Sequence, residues 1–243
     1  MRIVAKWELP PEIRARVGSN VGRQRAMSAE GHLLLILHKV PDPSKPEREG
    51  ALFWRHPDGS WSYSGRGRGL PMLREHVQEF ADAIDKLEAQ YAEAQDPAHY
   101  FRLLERIGPL NRTVKNLFTT LQAAREKVPN ETDIMNVRDR AYEVSRAADI
   151  LHMDAKNGLD YEIATQVEAQ GRAAHEMTRA SHRLNVIAAM FFPLTAIGAM
   201  FGTTLTSGLE DAPSWLFWAI LAAGIVVGFA VRGQVLRTKQ GAK

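Results

Sequence analysis

Hydrophobic and polar positions follow three different patterns along this chain. In the first seventy residues they come as short apolar runs broken by turn-formers. Residues 3–9 read as a strand and residues 11–14 (PEIR) as a helix start. Residues 32–40 (HLLLILHKV) form an unbroken apolar run of the length of a buried strand. The charged, proline-rich stretch 41–50 is a loop. Residues 51–56 and 60–64 then make a hairpin about Pro57, Asp58 and Gly59. Together these predict a small α/β domain over 1–70 with three or four strands. It is too thin for an independent core, so it is expected to lean on the helices that follow or on neighbouring subunits.

From residue 71 the period becomes helical. Over 72–94, Leu73, Val77, Phe80, Ile84, Leu87 and Tyr91 recur at steps of three and four and mark one apolar face. Asp96 and Pro97 end that helix and begin another. The second helix, over 100–128, carries Leu103, Leu104, Ile107, Leu110, Val114, Leu117 and Leu121, with a kink expected at Gly108 and Pro109. Pro129 and Asn130 break it, and Glu131 and Asp133 supply an acidic first turn. Proline is then absent until Pro193. Val137, Val144, Ala148, Leu151, Ala155, Leu159, Ile163 and Val167 keep the helical seam, so one helix is expected from about 133 to 202. At 1.5 Å per residue it is roughly 100 Å long, with Gly158 and Gly171 as local weak points.

The third pattern has no polar stripe. Residues 184–205 (LNVIAAMFFPLTAIGAMFGTTL) and 215–231 (WLFWAILAAGIVVGFAV) each approach the ~20 apolar residues that a bilayer-spanning helix needs. Trp215 and Trp218 stand at the start of the second run, as interfacial aromatics do. The expected division is a small cytoplasmic α/β domain over 1–70 and a cytoplasmic helical stalk over 71–183. A first span follows over 184–205, a short outer loop over 206–214, a second span over 215–231 and a basic tail over 232–243. A buried hairpin in a soluble core is the bland alternative, and the missing polar stripe speaks against it.

Composition sharpens this. The mean hydropathy of −0.27 hides a strong segregation. Between 184 and 231 there is no Lys or Arg, and the only acids are Glu210 and Asp211. Arg172, Arg179 and Arg183 precede the first run; Arg232, Arg237, Lys239 and Lys243 follow the second. By the positive-inside rule both termini are cytoplasmic, in a multi-pass protein of the plasma (inner) membrane. The start of the sequence has no apolar core of signal-peptide length. The chain has no cysteine, which excludes disulfides, thiolate metal sites and cysteine nucleophiles. The isoelectric point of about 9.2 is accounted for by charge at the inner leaflet. No nucleic-acid partner is expected, since residues 65–69 (GRGRG) are a linker more readily than an RNA contact.

Two helices cannot enclose a pore, so transport requires a homo-oligomer with one helix per subunit on the axis. Ser181, Asn185, Ala188, Phe192, Thr195, Ala199 and Gly202 recur at steps of three and four. Such small and hydroxylated residues serve tight helix packing or face water equally well. On a water-facing seam Phe192 is a constriction that gates by dewetting.

Residues 190–202 (MFFPLTAIGAMFG) resemble the end of the first transmembrane helix of the CorA divalent-cation transporters, where an apolar pair precedes Pro-Leu-Thr and a Gly follows. The order of parts resembles that family as well. The resemblance implies a funnel-shaped homopentamer that passes Mg²⁺, and also Co²⁺, Ni²⁺ or Zn²⁺, down the electrochemical gradient, gated by the cytoplasmic domain. The cation is cargo, and no cofactor is implied. Matched on Pro193, the pore positions are Thr178, Ser181, Leu184, Phe192, Thr195, Ala199, Gly202 and Thr204. Leu184 and Phe192 are the implied hydrophobic gates, Thr195 a hydroxyl ring and Thr204 the outer ring. Glu210 and Asp211 concentrate cations outside, or are simply a solvated loop. The family's Gly-Met-Asn signature is replaced here by Gly202-Thr203-Thr204. A ring of Thr hydroxyls still offers neutral oxygens to a hydrated cation, with less reach than Asn.

Two other functions share this architecture: an effector pore opened by a nucleotide signal, and a membrane-anchored scaffold without a pore. Asp149, His152, Asp154, Asp160 and Glu162 are a solvated charged face before they are a metal site. His175 and His182, a heptad apart, sense pH only if they ring an axis. The sequons at Asn111 and Asn130 are chance matches in a cytoplasmic segment. No phosphate-binding loop, zinc-protease motif or nucleophile elbow is present, and nothing argues for catalysis.

Overall fold

The continuous apolar run of residues 32–38 has a structural reason: its strand is covered on both faces. In this computed structural model, which describes residues 7–18, 20–42, 44, 48–202, 213 and 215–237, that strand is the second of four. Strands β1 (Arg25–Ala29), β2 (His32–His38), β3 (Gly50–Arg55) and β4 (Trp61–Tyr63) form one sheet in the order β1-β2-β3-β4. Every neighbouring pair is antiparallel. The sheet is therefore a meander joined by short connections rather than a crossover α/β unit.

Leu33, Leu35, Leu37, Ala51 and Phe53 face the helices and share one core with them. Leu34, Ile36, Leu52 and Trp54 face the other way together with Met27 of β1, and pack with Leu9 and with Ile13 of the short helix α1 (Pro11–Ala15). The strand predicted over 3–9 is absent across its described part, where Trp7 to Pro10 carry no strand. Residues 1–6 lie outside the described residues. Two consecutive prolines remove ladder donors and start α1 instead. Strand β1 was not predicted. Only Met27 in it is buried, so it lacks the alternation that marks a strand.

The β1–β2 turn places Glu30 (φ 52°) and Gly31 (φ 78°) in left-handed backbone. Both central residues of such a two-residue hairpin need positive φ, for which Asn-Gly is the favoured pair. Glu30→Asn is expected to stabilise the fold by about 0.5–1 kcal/mol, read as a higher urea midpoint at unchanged slope.

Helices α2 (Gly69–Ala92), α3 (Pro97–Lys127) and α4 (Thr132–Gly202) follow the predicted periodicity. Asp96 caps α3 by accepting from the His99 N–H at 2.7 Å. The predicted kink at Pro109 does not end α3, which runs through it. The sheet does lean on the helices: Leu73, Phe80, Ile107, Leu121, Val137 and Val144 lie in the same core as Phe53. Arg55 of β3 donates to Glu131, just before α4, from Nε at 2.7 Å and contacts it through Nη2 at 2.6 Å. The seam of α4 stays buried to Ala155, whereas Ile163 and Val167 are exposed. Gly158 is a packing position rather than a weak point. The Tyr100 ring occupies the place of a β-carbon, with its nearest atom 2.6 Å away.

The chain divides into two compact units, residues 1–164 and 165–243. The second contains the rest of α4 and helix α5 (Trp215–Arg237). Among the described residues no helix is long and apolar enough to cross a membrane. Residues 203–205 of the first predicted span lie outside the described residues.

Candidate functional site

In the second unit, α4 begins as a helix with no cover: every residue from Thr165 to Ser181 is exposed. Arg172 pairs with Glu168 one turn earlier, and His175 is exposed while His182 is half-buried. Thr178, Ser181, Leu184, Phe192, Thr195 and Ala199 then fall within an arc of roughly 120° at 3.6 residues per turn. All six are exposed, Leu184 at 67% and Phe192 at 71%. Gly202 is the last residue of α4. Thr204, Glu210 and Asp211 lie outside the described residues.

The hydroxyls on this arc are oriented by their own helix. Thr178 donates to the Ala174 carbonyl at 2.8 Å, and Thr195 to the carbonyls of Phe191 and Phe192 at 3.1 and 3.0 Å. A hydroxyl whose proton is spent on the backbone still has lone pairs to present outward. Those oxygens suit the water shell of a hydrated cation.

Helix α5 meets α4 elsewhere. Gly228 is so close to Met190 that a β-carbon on it would lie 3.0 Å from the Met190 carbonyl oxygen. Met190 sits about half a turn from the centre of the arc. The small residues of the arc are therefore not spent on packing against the chain's own second helix. Gly228 makes that contact, and Gly224 one turn earlier is buried as well, a small-xxx-small spacing of the kind that lets backbones approach. Sequence reasoning missed this pair, although the spacing was visible. Elsewhere in this unit Ile187, Phe191, Trp215, Trp218, Val226 and Phe229 are each more than half exposed, an apolar surface of a kind that in folded proteins is normally covered.

In the first unit, the acidic face expected to be solvated is partly engaged. Asp149 accepts from Asn111 at 2.9 Å and pairs with Lys115 at 2.5 Å. Partial burial alone would raise its pKa, but these bonds hold the carboxyl below its usual range. Among the described residues no three His, Asp or Glu are placed to hold a metal ion. Asn111, first residue of one sequon, is buried within α3.

His76 of α2 is buried between Phe53 and Phe80, with ring centroids 5.7 and 5.5 Å away. Burial pushes its pKa down to about 4, against the backbone bond at His38. Its Nε2 has no partner among the described residues. An unfolded histidine titrates near 6.5. As pH falls from 6.5 toward 4, the unfolded chain takes up a proton that the folded chain refuses, so stability falls across that window. The expected loss from this group is about 3 kcal/mol. Burial lowers His38 in the same sense, opposed by its bond to the Gly22 carbonyl. Urea titrations at several pH values should show that His76→Met flattens the slope between pH 6.5 and 4. A slope equal to that of the wild type would assign it to other groups.

No protein-family model and no curated protein matches the chain. Solved structures share its fold. The cytoplasmic domain of ZntB from Vibrio parahaemolyticus aligns with a TM-score of 0.53 at 9% identity, over 66% of this chain and 80% of that one. The full-length CmaX protein aligns at 0.52 and 15% identity, over 96% of this chain and 84% of that one. The complete CorA magnesium transporter from Methanocaldococcus jannaschii gives 0.48 at 12% identity, over 95% and 84%. This chain thus has the fold of the ZntB cytoplasmic domain and of CmaX: a small antiparallel sheet on long helices.

Proposed function

We propose that this chain is one subunit of a CorA-type cation pore in a cell's plasma membrane. The exposed arc of α4 lines the axis, and divalent cations pass down their gradient. The observation that carries the reading is the division of α4 between two faces. Its Met190 side is used by α5, while the arc bearing Thr178, Ser181, Phe192 and Thr195 is open. One such arc encloses nothing; several copies about an axis make a lined pore, five on the family resemblance. The other exposed apolar side chains of the second unit, among them Ile187, Phe191, Val226 and Phe229, face lipid, with both termini on the cytoplasmic side. The likeness of fold to the ZntB cytoplasmic domain and CmaX supports this, and the resemblance of residues 190–202 supplies the substrate class.

In this reading the hydroxyl oxygens of Thr178, Ser181 and Thr195 touch the cation's water shell, because Mg²⁺ sheds water reluctantly. Leu184 and Phe192 close the path by excluding water. Thr204 forms the outer ring, and Glu210 and Asp211 enrich cations before it. Residues on both units belong to α4, so the first unit gates by shifting that helix.

The test is flux into liposomes bearing the purified protein, with Mg²⁺, Co²⁺, Ni²⁺, Zn²⁺ and Na⁺ offered separately. The expected result is divalent uptake blocked by a hexa-coordinate mimic of hydrated Mg²⁺. Absence of flux with every ion, in a verified oligomer, would leave a scaffold or a pore waiting for a signal.

A further inference from the structure

A cleft of about 710 Å³ opens in the first unit between the end of β2 with its following loop, α2 and α3. Five cationic side chains border it: Lys39, Arg48, Lys86, Arg106 and Arg112. Two are committed within the chain. Lys39 pairs with Glu49 at 3.0 Å, and Arg106 donates to Gln90 at 2.6 Å. Arg48, Lys86 and Arg112 come from three different elements, and among the described residues none of them makes an ion pair.

All three are exposed, so water screens their mutual repulsion, and an anion placed among them would be attracted by all three. The positive field is felt nearby: after burial, Arg48 adds to what holds His38 below its ordinary range. The cleft is not uniformly basic. Asp42 and Glu49 stand on the loop wall, Glu79 and Glu105 on the α2 and α3 walls, and Leu87 and Leu110, both almost fully buried, form an apolar floor. Burial, then the neighbouring Glu75, raises the Glu79 pKa.

We propose that this cleft binds a phosphate-bearing small molecule that also carries hydroxyl or amine donors. The phosphate sits among Arg48, Lys86 and Arg112, where charge-assisted bonds are strongest. The donors face Glu79 and Glu105, and the remaining body rests on Leu87 and Leu110. The placement has a consequence for the helices. Asn111 and Lys115, which hold Asp149 of α4, flank Arg112 on α3, so occupancy acts next to the α3–α4 clamp. The site stands whether or not the chain conducts ions.

Calorimetric titration of the full chain in detergent micelles, at physiological salt, tests this with two probes used separately: ADP and inorganic pyrophosphate. The expected result is saturable binding of ADP, weakened at least about tenfold in Lys86→Gln and Arg112→Gln. Both side chains are exposed, so the ligand-free melting temperature should not move. Glu105→Gln should weaken ADP and leave pyrophosphate unchanged. Pyrophosphate binding as tightly as ADP would overturn the part assigned to the donors and floor. Failure of both probes to saturate would overturn the site, as would unchanged affinity in the Lys86→Gln/Arg112→Gln double variant. A cleft that seats a neighbouring copy gives that first negative result.

Discussion

Phe192→Ala should make the protein leak. In liposomes loaded with a Mg²⁺-sensitive dye, resting influx is expected to rise on the order of tenfold, because a hydrophobic ring gates by keeping water out of a narrow path. The physical basis is position. Phe192 lies on the arc that α5 leaves uncovered, and it is 71% exposed in the isolated chain. It is also the bulkiest side chain among the arc's otherwise small residues and Leu184. Ile187→Ala is the control, since Ile187 is exposed on α4 outside this arc and its loss should leave influx unchanged. Unchanged influx in Phe192→Ala would take this side chain out of the pore and return the arc to a packing role.

Phe80→Ala should be the most damaging single truncation of the first unit. Phe80 is fully buried in α2, within the core that Leu35 and Phe53 of the sheet share with Leu110 and Val137 of the helices. Its ring also meets His76 edge-on at 5.5 Å. Removing it takes away transfer energy and leaves a cavity where sheet and helices join. The expected cost is about 3–5 kcal/mol. Urea unfolding of the full chain, followed by tryptophan fluorescence, should show a lower midpoint at unchanged slope. A loss below about 1 kcal/mol would mean that the core refills the space and that Phe80 is no keystone.

Much of this was legible in the chain. The predicted apolar stripe of α2, from Leu73 to Leu87, is the buried one, because a 3.6-residue period is a local property that packing only had to accept. Asp96 capping α3 and Asp58-Gly59 turning the hairpin are local in the same way. Asp58 accepts from the Ser60 N–H and hydroxyl, at 2.9 and 2.7 Å, which holds its carboxyl low. Strand β1 was not legible. Arg25–Ala29 has the pattern of a loop and becomes a strand only because β2 offers it an edge. Gly158 misled for a related reason, since its value lies in the ring of Tyr100, far off in sequence.

The candidate site divides along the same line. The sequence alone determined that Thr178, Ser181, Leu184, Phe192, Thr195 and Ala199 share one helix face, since helical geometry requires it. It left open whether that face serves packing or water, and that question depends on where another helix lands. The tertiary structure decided it for the chain's own second helix: α5 approaches at Met190 through Gly228, and the hydroxyl face stays free. The cationic cleft likewise exists only in three dimensions, because Arg48, Lys86 and Arg112 come from separate elements and line one cleft where the loop after β2 meets α2 and α3. Periodicity is written residue by residue, whereas the burial of a face depends on which distant segment covers it.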